Sequence, residues 1–172
     1  MKTGMIRKID DLGRIVIPKE IRSSLRLNMG DSVEIFVEDN KILLKKHSSL
    51  LGFEEELFNI SKVINEACGA SILFVDEEKI IVSYGKLSEI YMDKEINPNI
   101  HLKVINNEIN KMKDIYIIDN YLENRNIILM PLYVKKVIKG LFIIIENDHL
   151  LTQNDLIIIN QFKKFIIKQL DR

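Results

Sequence analysis

Arginines stand at positions 7, 14 and 22, Arg26 follows, and Lys8 and Lys19 lie beside them. An arginine carries five donors in a rigid fork, which suits phosphate oxygens and the O6/N7 edge of guanine. These residues sit at the edges of the apolar pattern, not inside it. Doubled across a two-fold axis, the patch makes a wide basic face matched to duplex DNA. Asp10, Asp11 and Glu20 are interspersed with it. On spacing alone, a set of solvated surface charges fits as well as a DNA contact.

Other chemistry is scarce. The chain contains no G-x-G-x-x-G, Walker loop, G-x-S-x-G or H-E-x-x-H. The paired acids Glu54-Glu55-Glu56 and Glu77-Glu78 are sequence neighbours, as on solvated faces or turns. His47, His101 and His149 lie far apart, with no cysteine or carboxylate at metal-ligand spacing. Cys68 is the single cysteine and reads as a buried helix-end thiol. The expectation is a protein that is not an enzyme and needs no cofactor or metal.

The elements that position the arginines begin at the N-terminus. Met5–Lys8 reads as a short strand, Asp10-Asp11-Leu12-Gly13 as a turn, and Arg14–Ile17 as a second strand. Pro18 suits the first position of a two-turn helix reaching Leu25. Residues 32–37 and 41–46 alternate around Glu38-Asp39-Asn40 and predict a β-hairpin. Residues 1–47 hold 10 Lys/Arg against 7 Asp/Glu, a net +3, and the remainder 15 against 18, a net −3. A unit this small, with no disulfide, buries too little surface to stand alone, so it implies a dimer.

Residues 47–52 read as a linker. A second domain follows over residues 53–172, in the order helix 53–68, strands 71–75 and 80–84, helix 98–112, strands 115–118, 127–134 and 137–145, and a final helix from the Thr152 cap to about Leu170. This order predicts an α+β domain, an antiparallel sheet with helices on one side. The final helix has a main stripe of Leu156, Ile159, Phe162, Phe165, Ile166 and Leu170. Ile157, Ile158 and Ile167 lie outside it, so this helix, together with the helix over 53–68, is expected to form a second contact with another subunit, giving a dimer or tetramer. The N-terminus lacks the apolar core of a signal peptide, and no apolar run reaches the ~20 residues of a membrane helix. The expected setting is cytoplasmic, away from membranes.

The segment R-K-I-D-D-L-G-R-I-V-I-P-K-E-I-R, followed by G-D-S-V-E-I-F-V and K-I-L-L-K-K, closely resembles the AbrB-type swapped-hairpin DNA-binding domain over residues 3–46. The whole-chain plan resembles sporulation regulators that join such a head to a GAF domain. The resemblance implies two chains exchanging hairpins, double-stranded promoter DNA as partner, and DNA contacts from Arg7, Arg14 and Arg22. Members of that family usually carry a second arginine after the last of these, where this chain has Ser23. Lys8, Lys19 and Arg26 are supporting phosphate contacts in this reading. A GAF-like body implies a cradle for an unidentified small ligand, with Tyr84, Tyr116, Asp119, Tyr121, Arg125 and Tyr133 as candidate polar residues near strand ends. The expected function is a sequence-dependent transcriptional regulator of sporulation-phase genes. The same head also occurs in antitoxins, and a ligand-sensing module whose head only oligomerises is a third reading.

Overall fold

The computed structural model describes residues 4–25, 27, 29–76, 79–104, 109–135 and 137–171. The chain divides into two compact units, Met1–His47 and Ser48–Arg172.

The head contains helix α1 (Lys19–Ser24) and the antiparallel pair β1 (Val33–Glu38) and β2 (Lys41–Lys46). Asp39 and Asn40, at φ 46° and 61°, form the two-residue turn between the strands. Two consecutive positive φ values match the right-handed twist of a hairpin, and Asp and Asn tolerate them. Lys46 pairs with Asp31 at 2.9 Å and His47 with Glu34 at 2.9 Å. The segments expected as strands at residues 5–8 and 14–17 are not strands within one chain. A strand needs a ladder partner, and the bond from Asp10 N–H to the Arg14 carbonyl at 3.0 Å closes only the turn between them.

Among the head's described residues, Pro18 alone is buried. Ile6 is 93% exposed, Val16 78% and Val37 76%. Exposed apolar side chains in such number mark interaction surfaces in general.

The body begins with helix α2 (Glu54–Cys68), strands β3 (Ser71–Val75) and β4 (Ile80–Tyr84), and short helices α3 (Ser88–Tyr91) and α4 (Asn99–Lys103). Strands β5 (Asn110–Met112), β6 (Ile115–Ile118), β7 (Tyr121–Glu123), β8 (Ile127–Val134) and β9 (Val137–Ile145) follow, and helix α5 (Gln153–Leu170) ends the unit. Five strands form an antiparallel sheet in the order β4-β3-β9-β8-β5, and β6 and β7 form a separate ribbon. Alternate residues bury opposite faces. Ile72, Phe74, Met130, Phe142 and Ile144 pack with α2 and α5, and the rings of Phe74 and Phe142 stack at 4.6 Å. Leu73, Val75, Leu129, Leu141 and Ile143 pack beneath Tyr91, Ile96, Ile100, Ile115 and Ile117. Both faces are therefore covered, by long helices on one side and by short helices and the ribbon on the other.

Capping sets the limits of the long helices. Gly69, at φ 66°, ends α2. The Thr152 hydroxyl accepts from the Asp155 N–H, and the Asp155 carboxylate accepts from the Thr152 N–H, a reciprocal capping box that starts α5.

Three further expectations are corrected. The helix over residues 98–112 is instead α4 and, after residues outside the described set, β5, where Asn110 pairs with Leu129 and Met112 with Ile127. Pairing with β8 overrides the helical spacing. Residues 47–52 are not a free linker, because Leu50 is fully buried against Gly140 in the body's core. On α5 the inner face carries Ile159, Lys163 and Ile166, while Phe165 is half exposed. Burial pulls the Lys163 ammonium below the usual lysine range.

Candidate nucleic-acid interface

The basic residues of the head are organised around one turn. Gly13, at φ +75° with open space around it, lets the chain reverse. Asp10 fastens the reversal: its Oδ1 accepts from the Leu12 N–H at 3.0 Å and the Arg14 N–H at 2.8 Å, and its Oδ2 accepts from Arg14 Nε at 2.8 Å. The Arg14 backbone N–H first, and then its guanidinium, hold the Asp10 carboxyl below the usual carboxylate range. Asp10 thereby aims the Arg14 guanidinium, which stays largely exposed. Reading the basic residues alone misses this role. The Asp-x-x-Gly-Arg spacing, an Asx-type turn, carries the signal.

Arg7 and Lys8 are exposed on the segment before the turn, and Lys19 and Arg22 are exposed on α1. Arg26 lies outside the described residues. Ser23 is exposed on α1 next to Arg22. The head therefore presents three exposed arginines among its described residues, Arg7, Arg14 and Arg22, with Arg14 held by Asp10, on a unit with little core of its own.

The six candidate pocket residues of the body do not surround one cavity. Tyr121 packs edge-on against Tyr91 at 5.7 Å, and Arg125 belongs to the same polar group through Glu123. Asp119 instead accepts from Asn97 Nδ2 at 2.8 Å. Tyr116 is half exposed on the ribbon. Tyr84 ends β4 with its ring edge-on to Phe58 at 5.2 Å. Tyr133 pairs with Ile138 near the far end of β8, about 20 Å at ~3.3 Å per residue from Ile127, the end of the strand nearer Arg125.

The polar centre of the body is Glu123, a residue the sequence did not single out. Its side chain is almost fully buried and accepts from the Tyr91 hydroxyl at 2.7 Å, the Arg125 N–H at 3.1 Å, Arg125 Nε at 2.7 Å and Arg125 Nη2. Arg125 Nη1 reaches Asn147 Oδ1 at 3.2 Å, which also accepts from Ser71 Oγ at 3.1 Å, while Asn147 Nδ2 donates to the Gly69 carbonyl at 2.6 Å. Arg125 is thus committed to holding strand ends together.

Cys68 is buried at the end of α2. Burial, then the nearby Asp155 charge, pushes its thiol up to about 11. At pH 8 the folded protein is expected to react with a disulfide reagent at least about tenfold more slowly than free cysteine, and to match it once unfolded. Equal rates before and after unfolding would show an accessible thiolate. Among the described residues no group of His, Cys, Asp and Glu is arranged to hold a metal, and no helix is long and apolar enough to cross a membrane.

Comparison with known proteins sorts the two units. Residues 6–51 match the family model described as antidote-toxin recognition MazE, bacterial antitoxin. The chain is 40% identical over 96 residues to Stage V sporulation protein T of Bacillus subtilis (strain 168), covering 55% of this chain and 54% of that protein. It is 53% identical over 45 residues to the Transition state regulatory protein AbrB of the same organism, covering 26% of this chain and 47% of that one. The Putative transition state regulator Abh is 52% identical over 44 residues, with 26% and 48% covered. The chain thus spans about half the length of the curated relatives it matches. Among solved structures, the GAF domain of Thermosynechococcus elongatus PixJ in its blue-light absorbing form superposes with a TM-score of 0.52 at 16% identity, covering 73% of this chain and 88% of that one. The head is AbrB-like, and the body has a GAF-like fold of antiparallel sheet with flanking helices.

Proposed function

We propose that this chain is a DNA-binding transcriptional regulator of sporulation-phase genes. Residues 1–47 form the reading head and residues 48–172 the regulatory body. The observation that carries this reading is the set of exposed arginines 7, 14 and 22 around the Asp10–Arg14 turn, in a head half identical to a transition state regulatory protein. Two chains exchange their N-terminal hairpins, which gives residues 5–8 and 14–17 the ladder partners that one chain lacks. The same exchange covers the exposed Ile6, Val16 and Val37. Six arginines then face the duplex, with Lys8, Lys19 and Arg26 on neighbouring phosphates. Ser23 withholds one fork per chain, so affinity rests more heavily on Arg22 than in relatives with the arginine pair.

The body acts as sensor and second oligomer contact. Ile157, Ile158 and Phe165 are exposed on α5 and support a dimer or tetramer through that helix. A small ligand, or a partner protein, shifts the regulator by favouring one arrangement of the heads. The packing of Tyr91, Ile96, Ile100, Ile115 and Ile117 leaves Tyr84, Tyr116, Asp119, Tyr121, Arg125 and Tyr133 without a shared cradle, so the ligand's place is not those six together.

The MazE family description favours a second reading, an antitoxin. The folded body of residues 48–172 weighs against it, since toxin-wrapping tails are usually short and disordered.

Sedimentation velocity of the full chain, alone and with an AT-rich duplex of ~30 bp, about three helical turns, tests the proposal. The expected result is a dimer or tetramer that carries the duplex with it at low salt. A monomer that leaves the DNA behind overturns it. An oligomer that leaves the DNA behind favours a head that only oligomerises.

A further inference from the structure

Strand β4 is an outer strand of the body's sheet, and its inner edge is paired with β3 from Ile72↔Tyr84 to Val75↔Ile80. On the outer side only Ile80 is used: its N–H donates to the Lys94 carbonyl at 2.9 Å and its carbonyl accepts from the Asp93 N–H at 3.2 Å. From Ile81 to Tyr84 no backbone partner reaches that edge among the described residues. An open strand edge is a template for another strand.

Two adjoining hollows follow this edge. The first, about 580 Å³, has Ser83 on its floor, Glu54, Glu55 and Phe58 of α2 on one wall, and Glu89 and Met92 on the other. The second, about 600 Å³, shares Phe58 and Ser83 and continues past Tyr84 to Asp148. Phe58 and Met92 expose 45% and 41% of their surface here, large for apolar side chains on a folded domain. The rim is acidic: Glu55 and Glu89 are exposed, and the nearby Lys86 is already paired with Asp148 at 2.9 Å. The Ser83 hydroxyl is buried at the floor with no hydrogen-bond partner among the described residues.

We propose that this trough takes an extended segment of a partner protein, alternating apolar and basic residues, which adds to β4 as a further strand. Main-chain bonds to the outward-facing, alternate residues within 81–84 supply the generic affinity. Apolar side chains on Phe58 and Met92, and basic ones on Glu55 and Glu89, supply selectivity, the division of labour expected of strand addition. The trough lies outside the head, so the inference stands independently of DNA binding.

The test is selection of a random decapeptide phage library on the full-length protein, counter-selected on the exposed-site double variant Glu55→Lys, Glu89→Lys. Enriched peptides are then synthesised and measured by fluorescence anisotropy, each also with alternate amides N-methylated. The expected result is enrichment of alternating apolar and basic sequences, with at least tenfold weaker binding to the double variant and at least tenfold weaker binding after N-methylation. Phe58→Ala serves as a second variant, and equal denaturation midpoints establish that both variants are folded. No enrichment over the double variant overturns the proposal. So do peptides that tolerate N-methylation, acidic peptides, and peptides that bind the double variant as well as the parent.

Discussion

Replacing Arg125 with methionine is expected to lower the unfolding free energy of the body by about 3–5 kcal/mol, the range seen when one partner of a buried ion pair is removed. Glu123 is 1% exposed and takes three of its hydrogen bonds from Arg125. In the variant the backbone N–H and the Tyr91 hydroxyl remain, but no cation does. The pH dependence gives a second signature. Burial alone would raise the Glu123 carboxyl, yet the bonds donated by Arg125 and Tyr91 outweigh it and hold the group below the usual range. A depressed carboxylate contributes stability that is present above its unfolded value, about 4.3, and is lost as pH falls through the lower folded value. The parent should therefore weaken only below about pH 4 on this group's account. In the variant, desolvation acts against the charged form and raises the folded value. Acidification from pH 7 to 5 should then stabilise it, because protonation removes the uncompensated charge. Urea midpoints at pH 7 and pH 5 check both signs. The double variant Glu123→Leu, Arg125→Met should recover most of the loss, since a well-packed apolar pair can replace a buried ion pair.

The second large effect is expected at Gly140. A Cβ there would lie 2.4 Å from Leu50 Cδ1 and 2.5 Å from the Val75 carbonyl oxygen. Leu50 can be trimmed, but the carbonyl belongs to β3, which is paired with β9 from Ser71↔Ile145 to Val75↔Leu141. Gly140→Ala is therefore expected to cost about 1–3 kcal/mol, the usual range for overpacking a filled core. Leu50→Ala alone opens a cavity and costs about 2–5 kcal/mol. The double variant should be more stable than the sum of the two losses, by an interaction of about 0.5–3 kcal/mol. It should stay below the parent, because the carbonyl clash survives. Full additivity in urea unfolding would mean that Leu50 does not rest on Gly140.

These sites also mark where the sequence stops being legible. The strands Ser71–Val75 and Val137–Ile145 are readable because burial on both faces makes them near-continuous apolar runs. Thr152, Asp155 and Gly69 fix helix ends by local chemistry, so the limits of α2 and α5 are readable too. The segment from Pro98 to Met112 misleads because its apolar residues fall at helical spacing, while the three residues of β5 owe their state to β8. Leu50 hides in a polar-looking stretch, and only the notch at Gly140 reveals it. In the candidate interface, type and spacing leave the arginines' role open, while Asp10 follows from turn chemistry. Glu123 and Tyr91 lie 32 residues apart in the chain, and only the fold brings them together. Residues 5–8 and 14–17 read as strands from their β-branched residues, and they find no ladder partner within one chain.

The central claim is that the head reads DNA through its arginines, and a salt series of fluorescence anisotropy on a labelled AT-rich promoter-length duplex tests it most directly. With six arginines on phosphates or bases in a dimer, the log–log salt slope of the parent should be steeper than about −3, since each neutralised phosphate contributes ~−0.9. Arg14→Ala removes two forks per dimer, so affinity should fall at least tenfold and the slope should become shallower by about 1.8. Binding that is absent at low salt, or salt-sensitive binding that Arg14→Ala leaves unchanged in strength and slope, would contradict the account.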